Sequence, residues 1–493
     1  MIAPVARAAT YVVAPGGDDV NNDGVQKPWR TLQHAADKVM AGDTVLVRAG
    51  NYKGFDLRTG GANGQPISFI ADDGVVINAP NGTTTDGINV EGVSYVVIRH
   101  FKVTGVPRNG IRGAVCDHVR FLDNVTDANG VRGIFTGHCD DLDIEGNSCS
   151  RSGKEHGIYV SNSAKRPIIR NNVCFGNAGA GIHMNGDISQ GGDGIIDHAL
   201  VELNVIYDNG KSGGSGINCD GVQTSIFQNN LLYGNHASGI SLFRIDGGGS
   251  STDNVVVNNT IVMASDGRWA LNIQNGSTGN QAANNILYNY HSFKGSISIS
   301  PDSLPGLTSD YNVVMDRFTT DDANTILKLA DWQKMTGQDK HSFIATPAML
   351  FASAMANDYH LSAMSPAIDK GTSLHAPTRD LDGDARPLGA GYDIGSDELC
   401  AMGNCMAAPD GGIAVSDGGG DGAVGDMTMR AGVDAAGNEG DLSTSSADGG
   451  GAGAQAGGCG CRLRGSEGRT GALPQVGMSV LGILLLLSRR RKR

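Results

Sequence analysis

Residues 155–182 read EHGIYVSNSAKRPIIRNNVCFGNAGAGI, and they contain one complete turn of a repeat that runs from about Gly87 to Tyr288. A Gly-Ile pair recurs once per turn, and successive pairs are 23, 23, 24, 24, 35 and 23 residues apart. The pairs are Gly87-Ile88, Gly110-Ile111, Gly133-Ile134, Gly157-Ile158, Gly181-Ile182, Gly216-Ile217 and Gly239-Ile240. A period of this length, with short β-type runs and frequent glycine and asparagine, is the signature of a solenoid.

A second series, of asparagines, runs out of phase with the first, and each member precedes by two positions a residue that can be buried. Its members are Asn124, Asn147, Asn172, Asn204, Asn230, Asn259 and Asn285. Coils stacked about 4.8 Å apart build parallel sheets around one core, into which the isoleucines point. Each asparagine fits a bend, where its side chain can bond the asparagine of the next coil and the turn backbone. The repeat therefore predicts an all-β fold, a right-handed parallel β-helix solenoid.

The segments outside the repeat predict caps, a linker and a tail. Residues 1–9 are interpreted as the remnant of a signal peptide, and 10–310 as the β-helix with an N-terminal capping helix that Thr31 begins. Residues 311–399 are interpreted as a loop-rich C-terminal cap that includes a helix over 325–335. Residues 400–458 are rich in Gly and Asp and predict a disordered linker. In the tail, 459–493, an apolar run over 472–487 precedes five basic residues and predicts a short hydrophobic helix.

The net charge and the cysteine content limit the classes to which this protein can belong. The net charge of −13 disfavours binding to nucleic acid, which requires a basic face. Nine cysteines in 493 residues do not make a disulfide scaffold. Two pairs hold equivalent places in adjacent coils, and we expect free thiols stacked in the core: Cys116 with Cys139, and Cys149 with Cys174. Cys400 and Cys405 lie outside the solenoid and can pair in an oxidising compartment.

The residue after each isoleucine should point out of the solenoid. Tyr159 and His183 hold this position in adjacent coils, so their Cα atoms should lie about 5 Å apart. Such a pair suits elimination on a uronate, in which one group takes the proton α to the carboxylate and another protonates the leaving oxygen. The predicted catalytic residues are His156, Tyr159, His183 and Asp220. The predicted substrate-binding residues are Arg132, Asn185, Asp187, Arg244 and Asp246, and no residue is assigned to a metal.

Three alternatives remain open. A glycoside hydrolase could use Asp187, Asp220 or Asp246, which follow the strand in three successive coils. A calcium-dependent lyase could use Lys154 with acids from the set Asp140, Asp141 and Asp143. A surface protein that binds glycan without cleaving it needs no titratable cluster. No cofactor is required; calcium is the one that the pattern admits, there or at Asp380, Asp382 and Asp384.

Three segments carry family resemblances. TLQHAADKVMAGDTVLVRAGNY (Thr31–Tyr52), followed by the coils, resembles the start of pectate-lyase-like β-helix proteins over residues 10–310. Residues 155–182 are similar to a coil pair of alginate C5-epimerases, in which His156 matches a family histidine. Glu155 replaces its basic partner, and the Asp-Pro-His-Glu motif of that family is absent near Gly110. Cys459-Gly460-Cys461, the apolar run and the Arg-rich end resemble a myxobacterial C-terminal sorting tail.

These resemblances imply a β-helix whose N-terminal helix covers the open end of the core, and a polysaccharide substrate. The tail resemblance implies contact with the membrane before processing, recognition by envelope sorting machinery, and a final location at the cell surface or outside the cell. The fold hosts several reactions, so the reaction must be argued from the site. We expect an exported, surface-associated protein that cleaves acidic glycans as a lyase does, with the hydrolase and the non-catalytic binder as alternatives.

Overall fold

The computed structural model describes residues 8–400 and shows a parallel β-helix. The coils contribute strands to three parallel stacks, here called sheets A, B and C in the order in which the chain passes through them within one coil. Sheet C has 12 strands, and sheets A and B together have 22. The strand Asn109–Leu122 runs without interruption through A and B and joins them.

The strands have the following bounds. Sheet A contains Phe55–Leu57, Ile88–Glu91, the first part of Asn109–Leu122, Arg132–Asp140, Ile158–Ser161, Ile182–Asn185, Ile217–Asp220, Ile240–Phe243, Leu271–Ile273, Ile297–Ile299 and Phe318–Thr319. Sheet B contains Thr10–Val13, Thr44–Val47, Ile67–Ala71, Ser94–Arg99, the rest of Asn109–Leu122, Asp143–Glu145, Ile168–Arg170, Leu200–Glu202, Ile226–Gln228, Val255–Val257, Gln281–Ala283 and Thr308–Asp310. Sheet C contains Gly50–Lys53, Val75–Ala79, Lys102–Thr104, Val125–Asp127, Ser148–Ser150, Val173–Phe175, Val205–Tyr207, Leu231–Tyr233, Thr260–Met263, Ile286–Asn289, Val313–Val314 and Phe343–Ile344.

Short elements complete the described chain. The helices are Leu32–Ala36, Leu329–Thr336 and Pro347–Leu350, and the 3₁₀ turns are Ile188–Gln190, Pro301–Ser303 and Ala354–Ala356. Ala164–Lys165, Ile196–Asp197 and Val222–Gln223 form a small parallel sheet, and Phe351–Ser353 pairs with Asp358–Leu361 in an antiparallel one. The predicted capping helix is confirmed, and the Thr31 hydroxyl accepts a hydrogen bond from the backbone N–H of His34. The helix predicted over 325–335 is present but begins at Leu329, and parallel pairing continues beyond residue 310 to Phe343–Ile344.

The isoleucine column lies in the core, as predicted. All seven isoleucines of the Gly-Ile pairs have no exposed surface. All seven are register partners of their neighbours in adjacent coils, from Ile88 to Ile240 with no break, the 35-residue step included. The long step is accommodated outside the stack, in a loop that contains Ile188–Gln190. Because register is unbroken, outward side chains of adjacent coils lie one strand spacing apart.

The asparagine series forms a buried ladder, which confirms its predicted role. Asn172 illustrates the pattern: its Nδ2 donates to Oδ1 of Asn204 at 3.0 Å and to the carbonyl of Ile144 at 2.8 Å. Its Oδ1 accepts hydrogen bonds from the backbone N–H and Nδ2 of Asn147. The same contacts recur from Asn124 to Asn312. The ladder thus satisfies bend amides that water cannot reach.

The prediction of free thiols is wrong for Cys116 and Cys139 and confirmed for Cys149 and Cys174. Cys116 and Cys139 form a disulfide, because their places in adjacent coils put the Cα atoms 4.4 Å apart, within disulfide range. Cys149 and Cys174 are free and buried. Cys400 is disulfide-bonded, whereas Cys405, its expected partner, lies outside the described residues.

Removing the inter-coil disulfide should destabilise the solenoid. The bond closes a loop with a sequence separation of 23 residues, so the double variant Cys116→Ser/Cys139→Ser should lose about 3 kcal/mol of unfolding free energy in the chain-entropy model. Denaturant unfolding of the variant against wild type measures the loss. Alkylation of Cys116 and Cys139 in unfolded protein without reductant would contradict the disulfide.

Some predicted features lie outside residues 8–400: the remnant of the signal peptide up to residue 7, the linker beyond Cys400, and the hydrophobic tail. Among the described residues, no helix is both long and apolar enough to cross a membrane.

Candidate functional site

Sheet A presents the predicted column of outward residues. Tyr159 and His183 are register partners, as predicted, with Phe135 before them and Asn218 after them. The column continues through Ser241, Asn272 and Ser298. Regular stacking of the isoleucines beneath therefore brings an aromatic ring and an imidazole from adjacent coils into contact.

His156 reaches the same place from the bend before Ile158. Its ring stacks on His183 with 4.5 Å between centroids and meets the ring of Tyr159 edge-on at 5.1 Å. The rings of Tyr159 and His183 are 4.7 Å apart. The structure thus brings three of the four predicted catalytic residues into one cluster, the His-Tyr cluster.

Arg132 covers one side of the His-Tyr cluster. Its guanidinium carbon lies 5.0 Å from the ring centroids of both Phe135 and Tyr159, a cation–π arrangement. The guanidinium also forms a salt bridge of 2.5 Å with Glu155, and Arg132 is only 8% exposed. A positive charge is therefore held beside the proton-transfer groups, with a carboxylate already bound to it.

Hydrogen bonds orient the rings. Nδ1 of His156 accepts from the backbone N–H of Ala180 at 3.0 Å, so neutral His156 carries its proton on Nε2. Nδ1 of His183 lies 2.8 Å from Nδ2 of Asn218. Nδ2 of Asn185 donates to the Tyr159 hydroxyl at 3.1 Å, and its Oδ1 is buried with no hydrogen-bond partner among the described residues.

Both histidines are neutral at physiological pH. Burial lowers the pKa of His183 to about 3, with a further contribution from the Arg132 charge. Burial, then His183 and Arg132, lowers the pKa of His156 well below its usual range. A neutral imidazole can accept a proton, so His183 remains available as a base in mildly acidic solution.

Lowering the pH should reduce the free energy of unfolding, because of the titration of His156 and His183. An unfolded histidine titrates near pH 6.5, whereas folded His183 titrates at about 3, so its contribution is intact above pH 6.5 and is lost as the pH falls towards 3. At pH 4 the loss from His183 should be about 3 kcal/mol. Denaturant unfolding at pH 7 and pH 4 measures it, and His183→Gln should show a smaller difference between the two. An equal difference in variant and wild type would contradict a His183 that is neutral in the folded protein.

The predicted acids organise loops. Asp220 is 2% exposed, and its carboxylate accepts backbone N–H groups from Ile245, Asp246 and Gly247 at 2.7–3.0 Å. Burial raises the pKa of Asp220. The backbone of Asp246 donates to Asp220, and its carbonyl accepts from Ile188. Asp187 caps the Ile188–Gln190 turn and accepts the backbone N–H and hydroxyl of Ser189.

These loops form a wall beside the end of the sheet A strands. The N–H of Gly248 donates to the carbonyl of Gly194 at 2.8 Å, which joins the long insertion to the 244–250 loop. Ile188 and Ile245 on these loops are 51% and 63% exposed. Arg244 is exposed, and its Nε donates to the carbonyl of Gly247 at 3.2 Å. Arg244, Asp187 and Asp246 thus belong to the wall rather than to the His-Tyr cluster.

The predicted set omits Glu155, Asn218 and Phe135, which touch the cluster directly. The column rule that identified Tyr159 and His183 would also have identified Phe135 and Asn218. No periodic signal marks the salt bridge of Glu155, because bend residues follow no fixed direction.

The acids considered for calcium are engaged elsewhere. Asp141 binds Arg166 through both oxygens at 2.7 Å, Asp143 binds Arg120, and Asp140 accepts the backbone N–H of Lys165. Asp380 is buried and accepts the N–H groups of Asp382, Asp384 and Glu398, as a structural turn does.

Comparisons with known proteins agree on the fold. A family model described as a right-handed β-helix region matches residues 86–261 and 132–303, so the solenoid is right-handed. The crystal structure of pectate lyase Pel9A superposes with a TM-score of 0.55 at 15% identity, over 80% of this chain and 97% of that one. An alginate lyase from Paenibacillus sp. str. FPU-7 gives a TM-score of 0.45 at 18% identity, over 59% and 97%. At 15% identity the likeness to Pel9A shows the fold alone.

A sequence relative adds little about function. Over 69 residues the chain is 42% identical to the uncharacterised protein YwoF of Bacillus subtilis (strain 168). The match spans 13% of this chain and 15% of that relative.

Proposed function

We propose that this right-handed β-helix protein is an exported polysaccharide lyase that cleaves acidic glycans at the His-Tyr cluster. The observation that carries the proposal is the mutual contact of His156, Tyr159 and His183 beside Arg132. The fold-level likeness to polysaccharide lyases supports a carbohydrate substrate.

The mechanism assigns one proton transfer to each of two groups. His183 removes the proton α to the uronate carboxylate, the C–H electrons form the new double bond, and the glycosidic C–O bond breaks. Tyr159 protonates the leaving oxygen, and the products are an unsaturated uronate and a shortened chain. The Asn218 amide places its Nδ2 2.8 Å from Nδ1 of His183. For Nε2 of His183 to act as the base, this amide must turn by 180° so that its oxygen accepts a proton carried on Nδ1.

Arg132 supplies charge stabilisation in this scheme. Charge develops on the uronate carboxylate during elimination, and a preorganised cation at its oxygens lowers the barrier. Arg132 already binds the carboxylate of Glu155, so the substrate carboxylate must share or displace that contact. His156 stacks on His183 and, with its proton on Nε2, serves as a donor rather than as a base.

The hydrolase alternative has less support. It requires two carboxyl groups facing one glycosidic bond. Asp220 is instead buried and bound to three loop amides, and Asp187 caps its own turn. Neither arrangement leaves the pair free to act together.

Activity screening of the full chain tests the proposal. The substrates are polygalacturonate, alginate and a neutral galactan, and the readouts are the ultraviolet absorbance of unsaturated uronate and the release of reducing ends. A lyase that acts on an acidic polymer increases both the ultraviolet absorbance and the number of reducing ends. Reducing ends without absorbance would indicate a hydrolase, and retention of a polymer without either signal would indicate a binder.

Export is part of the proposal. The Cys116–Cys139 disulfide supports an oxidising compartment. We propose that residues 459–493 direct the protein to the cell envelope through membrane contact and the sorting machinery. Fractionation of cells that express the chain with and without this tail tests the idea, and unchanged surface retention of the truncated chain would contradict it.

A further inference from the structure

A basic patch lies further along sheet A, on the edge from which His156 approaches the site. We define it by Arg268, Lys294 and Arg317 and by the rings of Tyr290 and Phe293. Arg268 and Lys294 each precede by three residues the first residue of a sheet A strand, as Glu155 does beside the His-Tyr cluster. Since Leu271 and Ile297 are register partners, Arg268 and Lys294 occupy equivalent positions in adjacent coils.

The positive charges of this patch have no salt-bridge partner in the part of the chain that the structure describes. Within residues 8–400, no carboxylate forms a salt bridge with Arg268, Lys294 or Arg317. Two neighbouring acids are engaged elsewhere, Asp266 with His236 at 2.9 Å and Asp316 with Lys328 at 3.3 Å. Burial and the adjacent Arg268 lower the pKa of Lys294, with Asp322 as a smaller opposing charge. A cluster of like charges in a chain of net charge −13 is suited to an anionic ligand.

The patch also offers aromatic surface. Tyr290 and Phe293 are each 49% exposed, and Nζ of Lys294 lies 5.7 Å from the centre of the Phe293 ring. Arg317 fixes the loop that carries them, because its guanidinium donates to the carbonyls of His291 and Lys294. Aromatic rings can cover the apolar face of a sugar while the cations bind its carboxylate.

A polar track connects the patch to the His-Tyr cluster. From Tyr159 the column runs through His183, Asn218 and Ser241 to Asn272, four coils further on, or about 19 Å. Asn218 and Asn272 are uncharged and partly exposed, so they can bond sugar hydroxyls without attracting or repelling charge. Ser241 between them is 3% exposed, and its hydroxyl contacts that of Ser215. A linear chain lying along the solenoid can therefore contact both places at once.

We propose that the basic patch is a distal binding region for an acidic polysaccharide, which holds the chain several sugars away from the bond that is cleaved. The claim that the patch aligns the polysaccharide with the His-Tyr cluster rests on the proposed lyase function. The claim that the patch binds an anionic polymer does not. The occupant is an extended polyuronate rather than a neutral glycan, because Arg268 and Lys294 supply charge without local partners.

Affinity electrophoresis of the full chain in native gels containing polygalacturonate, alginate or neutral galactan tests the inference. The variant is Arg268→Gln/Lys294→Gln. The matched control is Lys27→Gln/Lys38→Gln, which changes the net charge equally at two exposed positions near the other end of the solenoid. We expect the patch variant to bind the polyuronate about tenfold more weakly, the control to match wild type, and the difference to shrink in high salt.

Three outcomes overturn the inference: no retention of wild type by either polyuronate, equal retention of patch variant and wild type, or equal weakening of patch variant and control. Phe293→Ala provides a second readout that leaves charge unchanged, and it should also weaken binding. Repeating the measurement with His183→Gln separates the two proposals. Patch-dependent retention without any unsaturated product from wild type would support the distal binding region and reject the lyase.

Discussion

His183→Gln is expected to abolish cleavage almost completely, with a rate about 10²- to 10⁴-fold lower on any acidic polymer that the wild type cleaves. Glutamine retains much of the volume of histidine and can still contact Asn218, but it cannot accept the proton. The substrate concentration for half-maximal rate should change little, because the proton is transferred only in the transition state. Initial rates of absorbance increase measure the effect.

Two further variants make this expectation specific. Tyr159→Phe keeps the ring that Arg132 and both histidines touch and removes only the hydroxyl, so it should lose comparable activity with little loss of stability. His341→Gln is the control, since His341 is exposed and pairs with Asp310 on sheet B. Activity within a few-fold of wild type in both His183→Gln and Tyr159→Phe would exclude the proposed mechanism.

Asn172→Ala should cause the largest loss of stability that we expect from a single polar substitution, about 4 kcal/mol. The change leaves the buried N–H of Asn147 and the buried carbonyl of Ile144 without their partners, and each unsatisfied group costs about 1–3 kcal/mol. Denaturant unfolding measures the loss.

The neighbouring asparagine is a close control. Asn171 is exposed and has φ of 55°, and its side chain makes one weak contact, to Glu145 at 3.4 Å. Asn171→Gly keeps that backbone conformation accessible and should change the unfolding free energy by less than about 1 kcal/mol. Similar losses of unfolding free energy in the two variants would mean that the asparagine ladder contributes no more to stability than an exposed bend does.

The site was predictable only as far as the repeat reaches. Tyr159 and His183 could be placed together because each follows a buried isoleucine, and strand register carries that relation from coil to coil. Asp220 lies two positions after Asn218, so strand alternation predicts that it also points outward, yet its carboxylate turns to the amides of the 244–250 loop. The loop that folds over the end of a strand determines which groups an acid at that end contacts. Because loop conformations do not repeat from coil to coil, the sequence repeat could not predict this contact.

The sequence by itself determined the solenoid, its inward isoleucines, the asparagine ladder and the pairing of outward columns, because a fixed period and a strand spacing leave one stacking register. Only the tertiary structure decided which groups within contact distance interact: the disulfide between Cys116 and Cys139, the salt bridge of Arg132 with Glu155, and the basic patch at Arg268 and Lys294. These interactions depend on bends and side-chain directions, which vary from coil to coil while the strands repeat.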